Sequence, residues 1–334
     1  MSSVLIVGAG SMGLTTGYHL QIAGADVTFL VRPHHTELSR PQLLYLLNDN
    51  TVKKYTGYKY ITDPAKIADS HYDYVVITLD AATLESETGI KLTKALGQSV
   101  GKDTKIILGT VGLGTRAWFL KTSGLAPDRV ANGALLVLAY PPKEARLTVH
   151  GKINEEALNN SDQAFVYRSP NSFMVDDIAP EVAKGFSELY DKNGISKCLV
   201  IPAEEYAASY DTFPIVYATL ELLGWPKFEE IDVKSDLWKL TTAALKEATE
   251  LDIHGKSGKE LASKITEKSL LETYLTSQKA SLPLDTVDFD RYHNGGKVNK
   301  QNRELFRRII EEGETEGKDL AALKKLNLLV DQAK

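Results

Sequence analysis

Apolar residues in the first half of the chain come in short, almost unbroken runs: VLIVG (4–8), VTFLV (27–31), YVVITL (74–79), IILG (106–109) and ALLVLAY (134–140). Strands covered on both faces read this way, and parallel sheets are covered on both faces. Helical periodicity fills several of the intervals, for example 12–22. This βαβ rhythm predicts a doubly wound sheet. Further along, RLTVHG (146–151) and QAFVYR (163–168) alternate like antiparallel strands, a helix is expected over 180–192, and KCLVI (197–201) reads as a strand. After Pro202 helical patterns dominate, over 203–223, 234–251, 258–281, 300–312 and 319–332, and no strong strand signal returns. The expected organisation is α/β, with a doubly wound N-terminal domain over 1–201 and an all-helical C-terminal domain over 202–334.

Composition narrows the class. At 334 residues, 43% hydrophobic and 25% charged, the chain has the profile of an ordinary globular protein of about two domains. The formal charge of −5 gives no basic footprint for nucleic acid. No run approaches the ~20 apolar residues of a membrane helix. A β-type run starts at Val4 without a charged leader or a small-residue cleavage site, and the single cysteine, Cys198, has no internal partner for a disulfide. A cytoplasmic protein is expected.

The most informative segment is VLIVGAGSMG. Gly8, Gly10 and Gly13 make G-x-G-x-x-G between a predicted strand and a predicted helix, the context a dinucleotide fingerprint requires. Gly8 permits the tight turn, Gly10 lets the backbone approach a pyrophosphate, and Gly13 allows close helix–strand packing. The helix start then faces the phosphates with free N–H groups. A Rossmann-type domain is therefore expected; the alternative is a glycine-rich turn with no ligand. The second strand ends in Leu30, Val31, Arg32, with no acid at its end. An acid there would hold the ribose 2′-hydroxyl of NAD, whereas an Arg accommodates the 2′-phosphate of NADP. Arg32 therefore points to NADP, with His34 and His35 as further polar contacts. The alternative is a solvated loop arginine.

These features together resemble the ketopantoate reductase (2-dehydropantoate 2-reductase) family over nearly the whole chain. GAGSMG and Arg32 match its cofactor motif. LGTVGLGT (108–115) is similar to its strand followed by an N-G-x-G turn, and Phe213–Pro214 to the Asn-Pro inside one of its helices. DTVDFDRYHNGGKVNKQNRELF resembles its T-E-I-D segment followed by a turn into a final helix. The resemblance implies an NADP-binding Rossmann domain, an all-helical partner domain and a small-molecule substrate held in the cleft between them. It adds Ala9, Ser11, Met12, Leu79, Asp80, Val111 and Gly112 to the cofactor-binding candidates. Most of the family's catalytic positions do not carry over. Asp80 stands where the family has a Lys, and Val111 where its turn has Asn. Its catalytic Lys falls at or near Glu205, its substrate-binding Asn near Ser209, and its catalytic Glu on Thr286. Ketopantoate is thereby disfavoured as substrate.

Hydride transfer still needs a donor for the developing oxyanion. Glu205, Ser209 and Tyr210 share roughly one face of the first C-terminal helix. His293, Asn294 and Lys297 lie in a polar, glycine-rich stretch read as a loop. Glu205, Tyr210, His293 and Lys297 are the catalytic candidates. Against them stand a partly exposed helix carboxylate, a core tyrosine, and a solvated connection capped by Asn302. Tyr140, before Pro141–Pro142, is expected at a strand end on the cofactor side, or as a turn former. GKSGKE (255–260) lacks the spacing and the preceding strand of a phosphate loop, and no zinc motif is present. Cys198 reads as a small buried hydrophobe, and Trp225 and Trp238 as core or interface anchors. The leading expectation is an NADP(H)-dependent reductase of a carbonyl or imine. The alternatives are a dehydrogenase of a β-hydroxyacid or amine-type substrate, and a nucleotide-binding sensor without turnover. A homodimer is left open.

Overall fold

A computed structural model describes residues 1–333. Contacts divide the chain into two compact units, Met1–Ile201 with Ser281–Leu284, and Pro202–Ala280 with the residues from Asp285 onward.

The strands of the first unit are β1 (Ser3–Val7), β2 (Asp26–Leu30), β3 (Gln42–Leu46), β4 (Thr51–Tyr55), β5 (Lys59–Ile61), β6 (Tyr74–Ile77), β7 (Lys105–Leu108), β8 (Val130–Leu135), β9 (Leu138–Tyr140), β10 (Gln163–Val166), β11 (Asn171–Asp176) and β12 (Lys197–Ile201). Its helices are α1 (Ser11–Ile22), α2 (Ala81–Leu84), α3 (Glu87–Ser99), α4 (Thr115–Ser123), α5 (Glu155–Asn160) and α6 (Pro180–Tyr190). Eight strands form one sheet in the order β12-β11-β8-β7-β6-β1-β2-β5. The stretch from β5 to β8 is wholly parallel. Its strand order is that of the Rossmann fold, which reverses direction between β1 and β6.

The unbroken apolar runs have a direct structural cause. Val4 and Ile6 of β1 join a buried cluster with Leu14 and Leu20 of α1 and Phe186 and Leu189 of α6. The intervening Leu5 and Val7 join another with Leu84, Leu96 of α3 and Phe119 of α4. Because successive side chains point to opposite faces, both parities must be apolar.

A second sheet, β4-β3-β10-β9, packs beside α1. At its junction His19 of α1 is fully buried. Its Nδ1–H donates to the Thr15 carbonyl, and its Nε2 accepts from the Tyr167 hydroxyl. Burial pushes this imidazole down to about 4, against the smaller upward pull of the Thr15 carbonyl.

Several sequence expectations change here. ALLVLAY is not one strand: Leu135 ends β8 in the large sheet, and Leu138 begins β9 in the second. RLTVHG is not a strand. Its alternation is met by one bridge from Val149 to Leu284 and by the His150 N–H donating to the Pro283 carbonyl. β3, β4, β5 and β11 were not anticipated.

The second unit contains α7 (Ala203–Tyr210), α8 (Pro214–Leu222), α9 (Asp236–Thr249), α10 (Gly255–Lys264), most of α11 (Glu267–Ser281), α12 (Thr286–Tyr292), α13 (Asn299–Thr315) and α14 (Ala321–Gln332). The helix expected over 203–223 breaks before Pro214, which has no N–H for the preceding turn and so serves as a first helical residue. That expected over 258–281 breaks at Thr266, whose Oγ1 accepts from the Ser269 N–H at 3.0 Å. Carboxylates tie the bundle together: Glu247 accepts from the N–H groups of Ala322 and Leu323, which open α14.

Candidate functional site

The turn from β1 into α1 is shaped by three glycines with different surroundings. Gly8 has φ +103° and donates its N–H to the Leu30 carbonyl at 3.0 Å, while a Cβ there would lie 2.8 Å from Thr78 Oγ1. At Gly13 a Cβ would lie 2.2 Å from the Gly8 carbonyl oxygen. At Gly10 a Cβ would meet no atom within 4 Å. Two glycines are thus demanded by the protein's own packing, and the third faces open space at the exposed start of α1. The helix has no acid in its first turn and no side-chain cap, and its first bond runs from Leu14 N–H to Gly10 O. The N–H groups of Ser11, Met12 and Gly13 are therefore without helical partners. A turn of this shape fits a diphosphate.

The loops at the carboxyl ends of the neighbouring strands are tied to this turn. Thr78 Oγ1, just after β6, donates to Val7 O at 2.9 Å, and Thr110 Oγ1, after β7, donates to Leu79 O at 2.7 Å. Gly109 leaves room for Met12, whose Cε would lie 2.5 Å from a Cβ there. Leu79, Asp80, Val111 and Gly112 are all partly exposed in these loops, and Gly112 has φ +130°. Neither threonine was singled out in the sequence; their only signal is a position near the end of an apolar run, Thr78 inside YVVITL and Thr110 just after IILG. Asp80, at the position matched to a family Lys, has a local structural role. Its carboxylate caps α2, accepting from Thr83 N–H at 2.8 Å and Thr83 Oγ1 at 2.9 Å.

After β2 the chain turns sharply, with His35 N–H donating to Arg32 O at 3.0 Å. Arg32 and His34 are exposed. The His34 and His35 rings stack with centroids 4.6 Å apart, and His35 Nδ1 pairs with the Glu37 carboxylate. Burial pushes the Glu37 carboxyl up, but the hydrogen bond from His35 and the charges of His35 and His34 together outweigh it and hold the carboxyl below its ordinary value.

In the second unit, Glu205 and Ser209 are exposed on α7, and Tyr210 is half-buried, stacked 4.7 Å from the buried Tyr206. The adjoining Glu204 accepts from Lys256 and Ser257 N–H at 3.1 and 3.2 Å, so its carboxylate fills the start of α10 in the GKSGKE segment. Next to Tyr210, the buried Asp211 faces buried His254, with Oδ2 3.4 Å from Nε2. Burial raises the Asp211 carboxyl above its ordinary value against the pull of that imidazole. This pair was missed because its members are 43 positions apart in sequence (254 less 211).

RYHNGGK is not a loop. The chain continues from α12 into a π-helical turn, His293–Lys297, and on into α13. Its glycines are needed for packing: a Cβ at Gly295 would lie 2.7 Å from Trp225 Cζ2. Trp225 itself has φ +59°, a conformation uncommon for a bulky residue. Asn294 is buried and donates to Asp290 Oδ1 at 3.1 Å, and Asn302 donates to Asn294 Oδ1 at 3.2 Å. Asn302 is therefore a buried residue within α13 rather than its cap. His293 is half-buried and stacks on Phe289 at 5.5 Å, and Lys297 is exposed. Thr286 is 4% exposed with its hydroxyl buried.

Tyr140 is the last residue of β9. It lies in the second sheet, 1% exposed, and burial raises its phenol to about 12. Cys198 is buried, and burial pushes its thiol up. Trp238 is a core residue whose indole N–H donates to Glu267 O. Among the described residues no cluster of three or more His, Cys, Asp or Glu side chains is placed to hold a metal, and no helix is long and apolar enough to cross a membrane.

Residues 4–117 match the family model described as ketopantoate reductase PanE/ApbA. That match spans the glycine turn and the loops after β6 and β7. The likeness of fold extends further. Solved structures of 2-dehydropantoate 2-reductase from Geobacter metallireducens GS-15 (15% identity, TM-score 0.64) and from Methylococcus capsulatus (12%, 0.64) are each matched over 99% of this chain, and over 100% and 96% of theirs. D-mandelate dehydrogenase, solved with NADH and anilino(oxo)acetate, matches at 12% identity and TM-score 0.62 over 99% of this chain and 97% of its own. No curated protein matches the sequence. The ketopantoate reductase fold, with its parallel sheet and helical C-terminal region, accounts for the whole described chain, as the motifs implied.

Proposed function

We propose that the chain is an NADP(H)-dependent oxidoreductase that reduces a carbonyl or imine carbon of a small molecule other than ketopantoate. One observation carries the cofactor half: Gly10 faces open space where Gly8 and Gly13 are locked by packing. A glycine that neither backbone conformation nor packing explains is explained by close approach of a ligand. The N–H groups of Gly10, Ser11, Met12 and Gly13 would hold the diphosphate, with Gly8 and Ala9 shaping the turn. Arg32 would take the 2′-phosphate, and Leu79, Asp80, Val111 and Gly112 would line the crevice at the nicotinamide end. The bound nucleotide supplies the hydride.

What remains for the chain is to orient the acceptor and supply a proton. Tyr210 and His293 are the proposed proton donors; each is half-buried with its ring fixed by stacking. Glu205 and Lys297 are exposed charges suited to orienting a substrate. Glu205 puts a negative charge at the position matched to the family's Lys, and Thr286 a neutral hydroxyl at that of its Glu. This exchange disfavours ketopantoate and favours an imine over a keto acid by simple charge complementarity. The test is calorimetry with NADPH and NADH, then loss of reduced-nicotinamide absorbance across a panel of keto acids, ketones and imines. Loss of a general acid costs about 10²–10⁴-fold in rate, so Tyr210→Phe or His293→Ala at full activity would remove that residue from the mechanism. The same missing Lys and Glu favour a second reading, a nucleotide-binding sensor. NADPH binding with no turnover on any acceptor would support it.

A further inference from the structure

Trp225 holds a backbone conformation that the local chain does not demand. α8 ends in a Schellman turn: Gly224, at φ +74°, donates its N–H to Glu221 O, and Trp225 N–H donates to Leu220 O at 2.8 Å. That motif needs a left-handed Gly224 and asks nothing similar of the residue after it. Trp225 is nonetheless left-handed, at φ +59°. For a bulky residue this is strain, which persists only where the surrounding structure holds it. The π-helical turn His293–Lys297 lies against it, and its Gly295 leaves room for the indole, since a Cβ there would stand 2.7 Å from Trp225 Cζ2. π-turns are themselves rare and frequent at functional sites. Two irregularities from distant parts of the sequence meet at one contact and fix one aromatic ring.

That ring belongs to a series. Trp225 and Tyr217 of α8 lie near-parallel, with planes at 27° and centroids 6.5 Å apart. Tyr274 of α11 stands perpendicular to Tyr217 at 6.4 Å, and Phe213, just before α8, meets Tyr217 edge-on at 5.8 Å. All four residues keep partial exposure, whereas Trp238 and Phe228 are core residues. Burial, with a further push from the Asp290 charge, raises the Tyr274 phenol. A side chain crowded by protein yet still reached by solvent lines a recess rather than a convex surface. Phe213 stands at the Asn of the Asn-Pro motif, so a ring replaces an amide there. His293, a proposed proton donor, lies in the same π-helical turn, two positions before Gly295.

We propose that Tyr217, Trp225 and Tyr274 form a recognition face for an aromatic ring on the acceptor, so that the substrate is an aryl carbonyl or an aryl imine. An aromatic guest gains from the charge distribution of the rings as well as from the area it covers. A saturated ring of the same size gains from the area alone. The strain at Trp225 is taken up in folding, so the indole is already in place when the ligand arrives, and little freedom is lost on binding. Trp225 is thus a specificity-determining residue, while proton donation stays with Tyr210 and His293. The inference rests on the reductase reading for the reaction, and on the ring geometry alone for the binding.

Matched pairs of acceptors test it: acetophenone against cyclohexyl methyl ketone, and phenylpyrroline against cyclohexylpyrroline. Within each pair the reacting group is the same and the ring differs in aromaticity. The wild-type chain is expected to bind the aryl member about two- to twelvefold more tightly in ligand-observed NMR titrations, and to reduce it with a KM lower by a similar factor. Trp225→Gly removes the indole and adopts φ +59° without strain. It should keep the circular dichroism spectrum and bring the two members of each pair to equal affinity. Equal affinity within both pairs on the wild type overturns the proposal, as does a wild type that binds none of the four compounds, or a preference of unchanged size in Trp225→Gly. The wild-type comparison needs no variant, so it decides the matter even if Trp225→Gly does not fold. NADPH consumption without an aryl preference removes this inference and leaves the reductase reading standing. An aryl preference with neither NADPH binding nor turnover sustains the recognition face and removes that reading.

Discussion

The substitution Gly10→Ala separates the binding role of the glycine turn from its folding role. Gly10 has φ −73°, which alanine adopts freely, and no atom lies within 4 Å of the added Cβ. The cost to the unliganded fold should be close to zero. Alanine can even stabilise by about 0.4–1 kcal/mol through the unfolded chain. In the complex the methyl group would occupy the space proposed for the diphosphate. Overpacking of a tight contact costs about 1–3 kcal/mol, a loss of roughly ten- to a hundredfold in NADPH affinity. A ligand at a hundred times its Kd stabilises the folded state by about 2.7 kcal/mol. At the same concentration, a tenfold weaker complex leaves about 1.4 kcal/mol and a hundredfold weaker one about 0.4 kcal/mol. Calorimetric titration gives the affinity directly, and thermal unfolding with and without NADPH gives the lost protection. Gly13→Ala is the control. Its Cβ would stand 2.2 Å from the Gly8 carbonyl oxygen, a backbone atom that cannot yield without opening the turn. That variant should lose stability with no ligand present. If Gly10→Ala binds NADPH like the wild type, or is itself destabilised as much as Gly13→Ala, the assignment of this turn to a diphosphate fails.

Arg32→Glu should shift preference from NADPH toward NADH; unchanged NADPH affinity would refute the role given to Arg32. His35→Ala should weaken NADPH more than NADH if the stacked imidazoles join Arg32 at the 2′-phosphate, and equal weakening of both would exclude them from it. His19 is held neutral, with its folded-state pKa lowered to about 4 from 6.5. Its contribution is therefore fully present above about pH 6.5 and is lost as pH falls from there toward 4, by about 3 kcal/mol in all. His19→Gln should flatten that part of the stability–pH curve in denaturant titrations, and an unchanged slope would show that His19 does not control it. Gly295→Ala should cost about 1–3 kcal/mol by overpacking and alter the fluorescence of Trp225; a silent variant would mean that the π-helical turn yields easily.

The first unit was legible because its signals are local. An unbroken apolar run, a glycine turn and a helical period are each written within a dozen residues, and sterics force the same local answer in any chain that folds this way. The Asn-Asp-Asn sequence between β3 and β4 was also legible and was passed over. Asp49 Oδ1 accepts from Thr51 N–H and Oγ1, and Asn50 sits at φ +59°, the chemistry of a tight turn. The candidate site in the second unit was far less legible. Whether RYHNGGK is a loop or a π-helical turn depends on the indole of Trp225, some seventy positions earlier, resting on Gly295.

By itself the sequence determined the parallel sheet, the turn after β1 and the helical character of everything after Pro202, since each follows from periodicity and backbone sterics over short range. Only the tertiary structure decided that ALLVLAY divides between two sheets, that Tyr140 is buried in the second of them, that Asp80 caps a helix, and that Asp211 faces His254. These outcomes depend on which distant segments pair, and pairing is settled by burial and hydrogen-bond satisfaction across the whole fold.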